Sequence, residues 1–215
     1  MMEHYVITIA RGFGSGGKEI GTKIAERLGI PCYESQILKM ASEWSGINEA
    51  LFNQADERLQ GKNAFLGYLH KAPFTSIAQP NTKAFVSDVN LFNIQSKIIR
   101  RLAMTQSCVV IGKCADYVLR TFPNVVSVYI EAPREDCVQS IMKKMGVTEK
   151  EANRLIEKTD RYRADYYHFY SQGGYWTNPV NYDMTLNSAR VGRDRCVDVI
   201  IDYAKRKLDI SMPIF

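Results

Sequence analysis

Seven residues, Gly12-Phe13-Gly14-Ser15-Gly16-Gly17-Lys18, combine four glycines with a terminal lysine. Glycines let a backbone curl closely around an anion, often at positive φ, so that amide N–H groups converge on it. A lysine at the end of such a loop adds a charge that follows a phosphoryl group. The spacing G-x-x-x-x-G-K is that of a phosphate-binding Walker A loop. The same letters spell G-x-G-x-x-G at Gly12, Gly14 and Gly17, a dinucleotide fingerprint, with Glu34 downstream to imitate its ribose-binding acid. The lysine favours phosphoryl chemistry, since dinucleotide loops need no cation directly after the last glycine. A tight strand–helix turn is the bland third reading.

Walker A loops place Ser or Thr directly after the lysine, or one residue later, to ligate Mg²⁺. Those positions here are Glu19 and Ile20. Either Glu19 holds the metal, directly or through water, or phosphates and solvent hold it. Alternatively, Glu19 is a first-turn acid favoured by the helix dipole.

These residues need a strand before them and a helix after them, and the sequence supplies both. Tyr5 to Ala10 is an apolar run, and Ile20, Ile24, Ala25 and Leu28 recur at helical spacing. Further strands are predicted at about 30–33, 108–112, 125–131 and 183–187. Their alternation with helical stretches predicts an α/β fold with a parallel sheet covered by helices. The continuously apolar Cys108-Val-Val-Ile-Gly112 suits a strand buried on both faces.

Helices are predicted near 35–45, 47–59 and 89–104, around a Gly/Pro/Asn-rich stretch at 61–84 that reads as a mobile loop. Together they form an insertion after the second strand. Pro133 suits a first helical turn. Thr148-Glu-Lys-Glu151 is a capping box that opens a long helix toward Tyr170. A closing helix, 189–207, puts Cys196, Val197, Ile200, Ile201 and Ala204 on one face.

The chain has 215 residues, 46% hydrophobic and 24% charged, with a net charge of +5. That length favours a single domain, 1–215, with a full core. The mild positive charge suits anionic small molecules and falls short of a nucleic-acid signature. Five cysteines (Cys32, Cys108, Cys114, Cys137, Cys196) are scattered without a C-x-x-C pair, which predicts reduced thiols in a cytoplasm. Met1 to Ala10 shows no leader pattern, and no apolar run reaches transmembrane length. The three histidines lie far apart, so a zinc site is not expected. Oligomeric state is not readable from these features.

Several segments taken together with the glycine loop resemble the cytidylate kinase-like family within the nucleoside monophosphate kinases. They are Cys108 to Leu119, Val125 to Pro133, Lys158 to Arg163 and Asn181 to Arg190, and the resemblance covers nearly the whole chain. It implies a three-layer P-loop NTPase fold with a central five-stranded parallel sheet, a helical NMP-binding insertion mapped onto 35–105, and a lid mapped onto 143–165. It implies ATP and Mg²⁺ as cofactors, a nucleotide acceptor, and no nucleic-acid or membrane partner. The donor would lie on Gly12, Phe13, Gly14, Ser15, Gly16, Gly17, Lys18, Glu19 and Asn187. The acceptor would lie near Ser35, Gln95, Lys113, Asp116, Lys158 and Asp160, with Lys18, Arg161 and Arg163 catalytic.

The resemblance has departures. Cytidylate kinases carry Gly-Arg-Asp after the third strand, where this chain has Gly112-Lys113-Cys114, keeping a cation but losing its fork. Asp116 is a candidate for the missing carboxylate. Gln95 stands where that family has a phosphate-binding arginine, and Cys137 replaces an earlier lid arginine. Arg101 flanks the apolar stripe of Leu91, Ile94, Ile98 and Leu102, while Arg100 points away from it; both also read as solvated surface.

Other residues keep two readings. Lys158, Arg161 and Arg163 would neutralise charge on a transferring phosphoryl group, or else decorate a helix with ion pairs such as Arg161 with Asp165. Lys143 and Lys144 are weaker candidates. Asn187 or Ser188 lies near an adenine, caps a helix, or does both. The run Tyr166 to Tyr170 reads as packing more than base stacking. A kinase of another small metabolite and a regulatory nucleotide-binding protein are the rival functions.

Overall fold

A computed structural model describes residues 4–58 and 86–209. The stretch 61–84 lies outside the described residues. Five strands are present: β1 (Val6–Arg11), β2 (Cys32–Tyr33), β3 (Cys108–Ile111), β4 (Val125–Glu131) and β5 (Met184–Asn187). All pair in parallel, in the order β2-β3-β1-β4-β5. Helix α1 (Gly17–Leu28) follows β1. The segment α2 (Gln36–Ser45), α3 (Glu49–Arg58) and α4 (Asp88–Thr105) lies between β2 and β3. The short α5 (Ala115–Val118) follows β3. The hairpin α6 (Arg134–Met145) and α7 (Glu149–Tyr170) follows β4, and α8 (Ser188–Val191) with α9 (Arg193–Leu208) closes the chain.

Strand β1 is central because both of its faces are apolar, and Val6, Ile7, Ile9 and Ala10 are all buried. Ile7 and Ile9 share one core with Ile20 and Ile24 of α1 and with Ile200 and Ile201 of α9. Val6 and Ala10 join the opposite core, with Leu91 and Ile98 of α4 and an aromatic group from α7. Sheet and two helical covers make three layers. Each fully buried aliphatic side chain contributes about 1.5–3 kcal/mol. The hairpin of α6 and α7 has its own small core, Cys137, Val138, Ile141, Ala152 and Ile156, against which Phe13 of the glycine loop packs.

Local signals fared unevenly. Thr148 caps α7, its Oγ1 accepting from Glu151 N at 3.3 Å. The Glu151 carboxylate bonds Arg154 instead of returning to the cap. Pro133 is the N-cap of α6, with Arg134 as first helical residue, because its ψ of 145° is extended. The closing helix is broken at Gly192, whose φ of 87° ends α8 and starts α9. No helix among the described residues is long and apolar enough to cross a membrane.

Candidate active site

The glycine loop leaves the C-terminal end of β1 and feeds the N-terminus of α1, the geometry that gathers backbone N–H groups around an anion. Gly14 and Gly16 have φ of 94° and 85°. A Cβ on Gly14 would meet the Cys137 carbonyl oxygen at 2.7 Å, and one on Gly16 would meet Arg193 Nε at 2.5 Å. The Ser15 hydroxyl lies 2.9 Å from Gly12 O and 3.1 Å from Ile130 O, which fastens the loop to the end of β4. Ser188 Oγ donates to Ser15 O at 2.5 Å.

Charged groups surround this loop. Lys18 Nζ pairs with Glu34 Oε2 at 2.5 Å, and Arg11 Nη2 takes the other oxygen of that carboxylate at 2.6 Å. Burial pushes the Glu34 carboxyl up, but Lys18 and Arg11 outweigh it and hold it below the usual carboxylate range. Burial lowers the Arg11 guanidinium, and the adjacent Arg163 lowers it further, to about 10. Arg163 Nη1 donates to Arg11 O at 2.9 Å and to Asp160 Oδ1 at 3.2 Å. Asp160 Oδ1 also accepts from Phe13 N at 2.8 Å. Burial raises the Asp160 carboxyl despite that amide and Arg163.

A cavity of about 1010 Å³ opens over the loop, walled by Lys18, Thr22, Ser140, Lys143, Lys144 and Arg193 among others. A second cavity, about 280 Å³, is lined by Ser35, Asn53, Lys113, Asp116, Tyr162 and Trp176 with their neighbours. Arg11, Glu34 and Arg163 line both. The turn after β3 borders the smaller cavity with three successive left-handed residues, Gly112, Lys113 and Cys114, at φ of 72°, 59° and 51°. Left-handed backbone costs a non-glycine residue about 1–2 kcal/mol, and such strain is concentrated where geometry serves a site. Asp116, in α5, is buried and bonded to Tyr167; burial pushes its carboxyl up to about 6. Its Oδ2 has no hydrogen-bond partner among the described residues.

The structure gathers some expected residues here and places others elsewhere. Ser35, Lys113 and Asp116 line the smaller cavity, Lys143 and Lys144 the larger, and Arg163 both. Asp160 was assigned to the acceptor but sits on the glycine-loop amide of Phe13. Arg161 was expected to be catalytic. It is 71% exposed and pairs at 2.7 Å with Glu157, one turn back, rather than with Asp165. Lys158 is exposed and, with Arg161, lies on the outer side of α7. Gln95 is buried inside α4 and lines neither cavity, its Oε1 unpartnered among the described residues. Asn187 caps α8, accepting from Ala189 N and Arg190 N. Arg101 is exposed, as in its reading as solvated surface, whereas Arg100, expected to point away from the apolar stripe, is half-buried.

Three contributors were not singled out from sequence. Arg11 is a charged residue closing an apolar strand, and that contrast was its available signal. Glu34 had been read only as a ribose-binding imitation. Arg193 reaches Ser140 Oγ at 2.9 Å and Glu19 Oε2 at 2.5 Å, a placement that depends on the chain break at Gly192.

The family model for the cytidylate kinase-like family matches residues 6–190. The chain belongs to that family. A crystal structure of an uncharacterised protein from Eubacterium ventriosum ATCC 27560 is 26% identical with a TM-score of 0.67, over 97% of this chain and 100% of that one. Shikimate kinase from Bacteroides thetaiotaomicron is 9% identical with a TM-score of 0.49, over 96% and 99% of the two chains. The Aquifex aeolicus shikimate kinase is 13% identical with a TM-score of 0.43, over 96% and 99%. No curated protein matches the sequence.

For this cytidylate kinase-like chain, family, strand order and glycine loop together give the P-loop NTPase fold and support a P-loop kinase. The residue expected at the metal, Glu19, is engaged by protein cations. Both Glu19 oxygens are engaged, by Lys23 at 3.0 Å and Arg193 at 2.5 Å, and Ser15 faces backbone carbonyls. The two cations hold the Glu19 carboxyl below its usual range against a smaller effect of burial.

Proposed function

We propose that this protein is a phosphotransferase that moves the γ-phosphoryl group of ATP to a small acceptor, a cytidylate-like nucleoside monophosphate. The observation that carries this reading is the shared wall: a large cavity over a glycine loop meets a smaller one at Arg11, Glu34 and Arg163. The amides from Phe13 to Lys18 would cradle the donor phosphates, with Lys18 following the γ-group. Lys143, Lys144 and Arg193 give the same cavity a positive rim. Magnesium enters as MgATP, carried by phosphates and water, and no protein side chain is assigned to it.

Lys113 and Arg163 would orient the acceptor in the smaller cavity. No general base is needed when the nucleophile is already an anionic phosphate oxygen, so positioning and charge neutralisation supply the catalysis. In this reading residues 35–105 are the acceptor-binding insertion, contributing Ser35, Leu38 and Asn53 to the smaller cavity. Residues 143–165 are the lid, contributing Thr159 and Tyr162. One observation favours a different small-metabolite acceptor: Gln95, expected at the acceptor, is buried away from both cavities.

The test is an ATP-consumption assay with magnesium and a panel of nucleoside monophosphates. At least one pyrimidine monophosphate should turn over, and Lys18→Met should lower kcat about 10²–10³-fold. No turnover of any pyrimidine monophosphate would sink the cytidylate reading. ATP binding without transfer to any acceptor would favour a regulatory protein instead.

A further inference from the structure

Arg11 is built into the fold rather than laid on it. Its side chain is 15% exposed at the end of the central strand. Two glycines make room for it. A Cβ on Gly17 would come within 2.5 Å of Arg11 Cβ, and one on Gly112 would strike its Nη1. Beside it lies Arg163, 18% exposed and bonded to the Arg11 carbonyl. Two guanidiniums are thus brought near one another largely out of water, where Arg163 disfavours the charge of Arg11.

The local carboxylates do not balance them. Glu34 divides its two oxygens between Arg11 and Lys18, and Asp160 divides one oxygen between Arg163 and the Phe13 amide. At the wall the cavities share, two cations, Arg11 and Arg163, therefore face one carboxylate, Glu34, and the excess positive charge sits where the cavities meet. A paired guanidinium fork in a low-dielectric recess is suited to an anion with several acceptor oxygens, which it holds by charge-assisted bidentate bonds. Lys113, which also lines the smaller cavity, offers a point charge without that fork.

We propose that Arg11 and Arg163 together clamp the anionic end of the acceptor, a phosphate monoester, and that Glu34 competes with that phosphate for Arg11 and Lys18. The proposal rests on the donor–acceptor reading above and adds Arg11 as an acceptor-binding residue and Glu34 as its internal competitor. It follows that the acceptor is selected by its own phosphate before its base is read.

The test is calorimetry on the full chain, with nucleoside monophosphates and ribose 5-phosphate as probes. Each is paired with its dephosphorylated counterpart, and a non-hydrolysable ATP analogue is titrated separately. In the wild-type protein at least one monophosphate should bind about 100-fold more tightly than its counterpart. Arg11→Gln should erase about 10- to 100-fold of that preference while leaving the unphosphorylated compound within a few-fold.

Retained binding of the ATP analogue shows that the variant folds. If it does not fold, Arg11→Lys carries the test, with about a 10-fold loss as the charge stays and the fork goes. Glu34→Gln should tighten monophosphate binding, which no folding defect would imitate. The clamp is overturned if no monophosphate outbinds its counterpart, if Arg11→Gln or a folded Arg11→Lys binds it like wild type, or if Glu34→Gln fails to tighten it. Failure of the ATP analogue to bind the wild-type chain would instead refute the kinase reading, so the two failures are distinguishable.

Discussion

Asp116 sits among Tyr167, Tyr182 and Cys114, and burial moves its carboxyl from 3.8 up to about 6. The folded state therefore holds a proton between those two values that the unfolded chain has released. Stability contributed by this group is full at low pH, falls as pH rises through about 6, and stays reduced above it. The penalty at neutral pH is about 3 kcal/mol from the width of that window. Asp116→Asn should then melt at a higher temperature than wild type near neutral pH, with the gap closing toward about pH 4. Equal melting curves at both pH values would contradict the assignment. That Asp116 belongs beside a cavity was legible from its place after the third strand. The ion pairs of Arg11 were not, because Glu34 lies 23 residues away and no periodicity links the two.

Helix α7 performs three separate tasks along 22 residues. Its first half closes the small core with α6, Asp160 and Arg163 dock it onto the glycine loop, and its last turns supply aromatic rings to α4. The last contact is specific. Phe92 of α4 stacks on Tyr170 at 3.8 Å between centroids and 11° between planes, and meets Tyr166 edge-on at 6.0 Å. Tyr170 also donates to the Asp88 carbonyl at 3.1 Å. Phe92→Ala should cost about 3–5 kcal/mol in chemical denaturation, since a large cavity would open between two helices. A loss under about 1 kcal/mol would mean that the two helices are held by other contacts.

The start of α7 was readable because a cap is a local event within four residues. The placement of Arg100 was not, for a different reason. Residues 90–96 of α4 are all buried, so that half of the helix is enclosed around its circumference and a single apolar stripe does not define its orientation. Arg161 was misplaced because its neighbours in sequence do not reveal which side of α7 meets the loop.

At the scale of the molecule, the topology makes the site. Parallel strands send their C-terminal ends to one edge of the sheet, the edge where open α/β sheets bind ligands. The glycine loop follows β1 there, Glu34 follows β2, the left-handed turn follows β3 and Glu131 ends β4. Alternating apolar runs and the glycine loop disclosed the fold class and all five strands to within two residues. The order of the strands depends on contacts between distant segments. Arg11 and Arg163, 152 residues apart, meet only through that order.

The central claim is that two adjoining cavities hold a phosphoryl donor and its acceptor. A bisubstrate analogue in which adenosine and cytidine are joined 5′ to 5′ by a polyphosphate chain would span both, across Arg11, Glu34 and Arg163. Its affinity relative to a non-hydrolysable ATP analogue can be measured by calorimetry. Linking the two ligands should give binding about 100-fold tighter than the ATP analogue alone. An affinity no better than that of the ATP analogue would contradict the shared-wall arrangement.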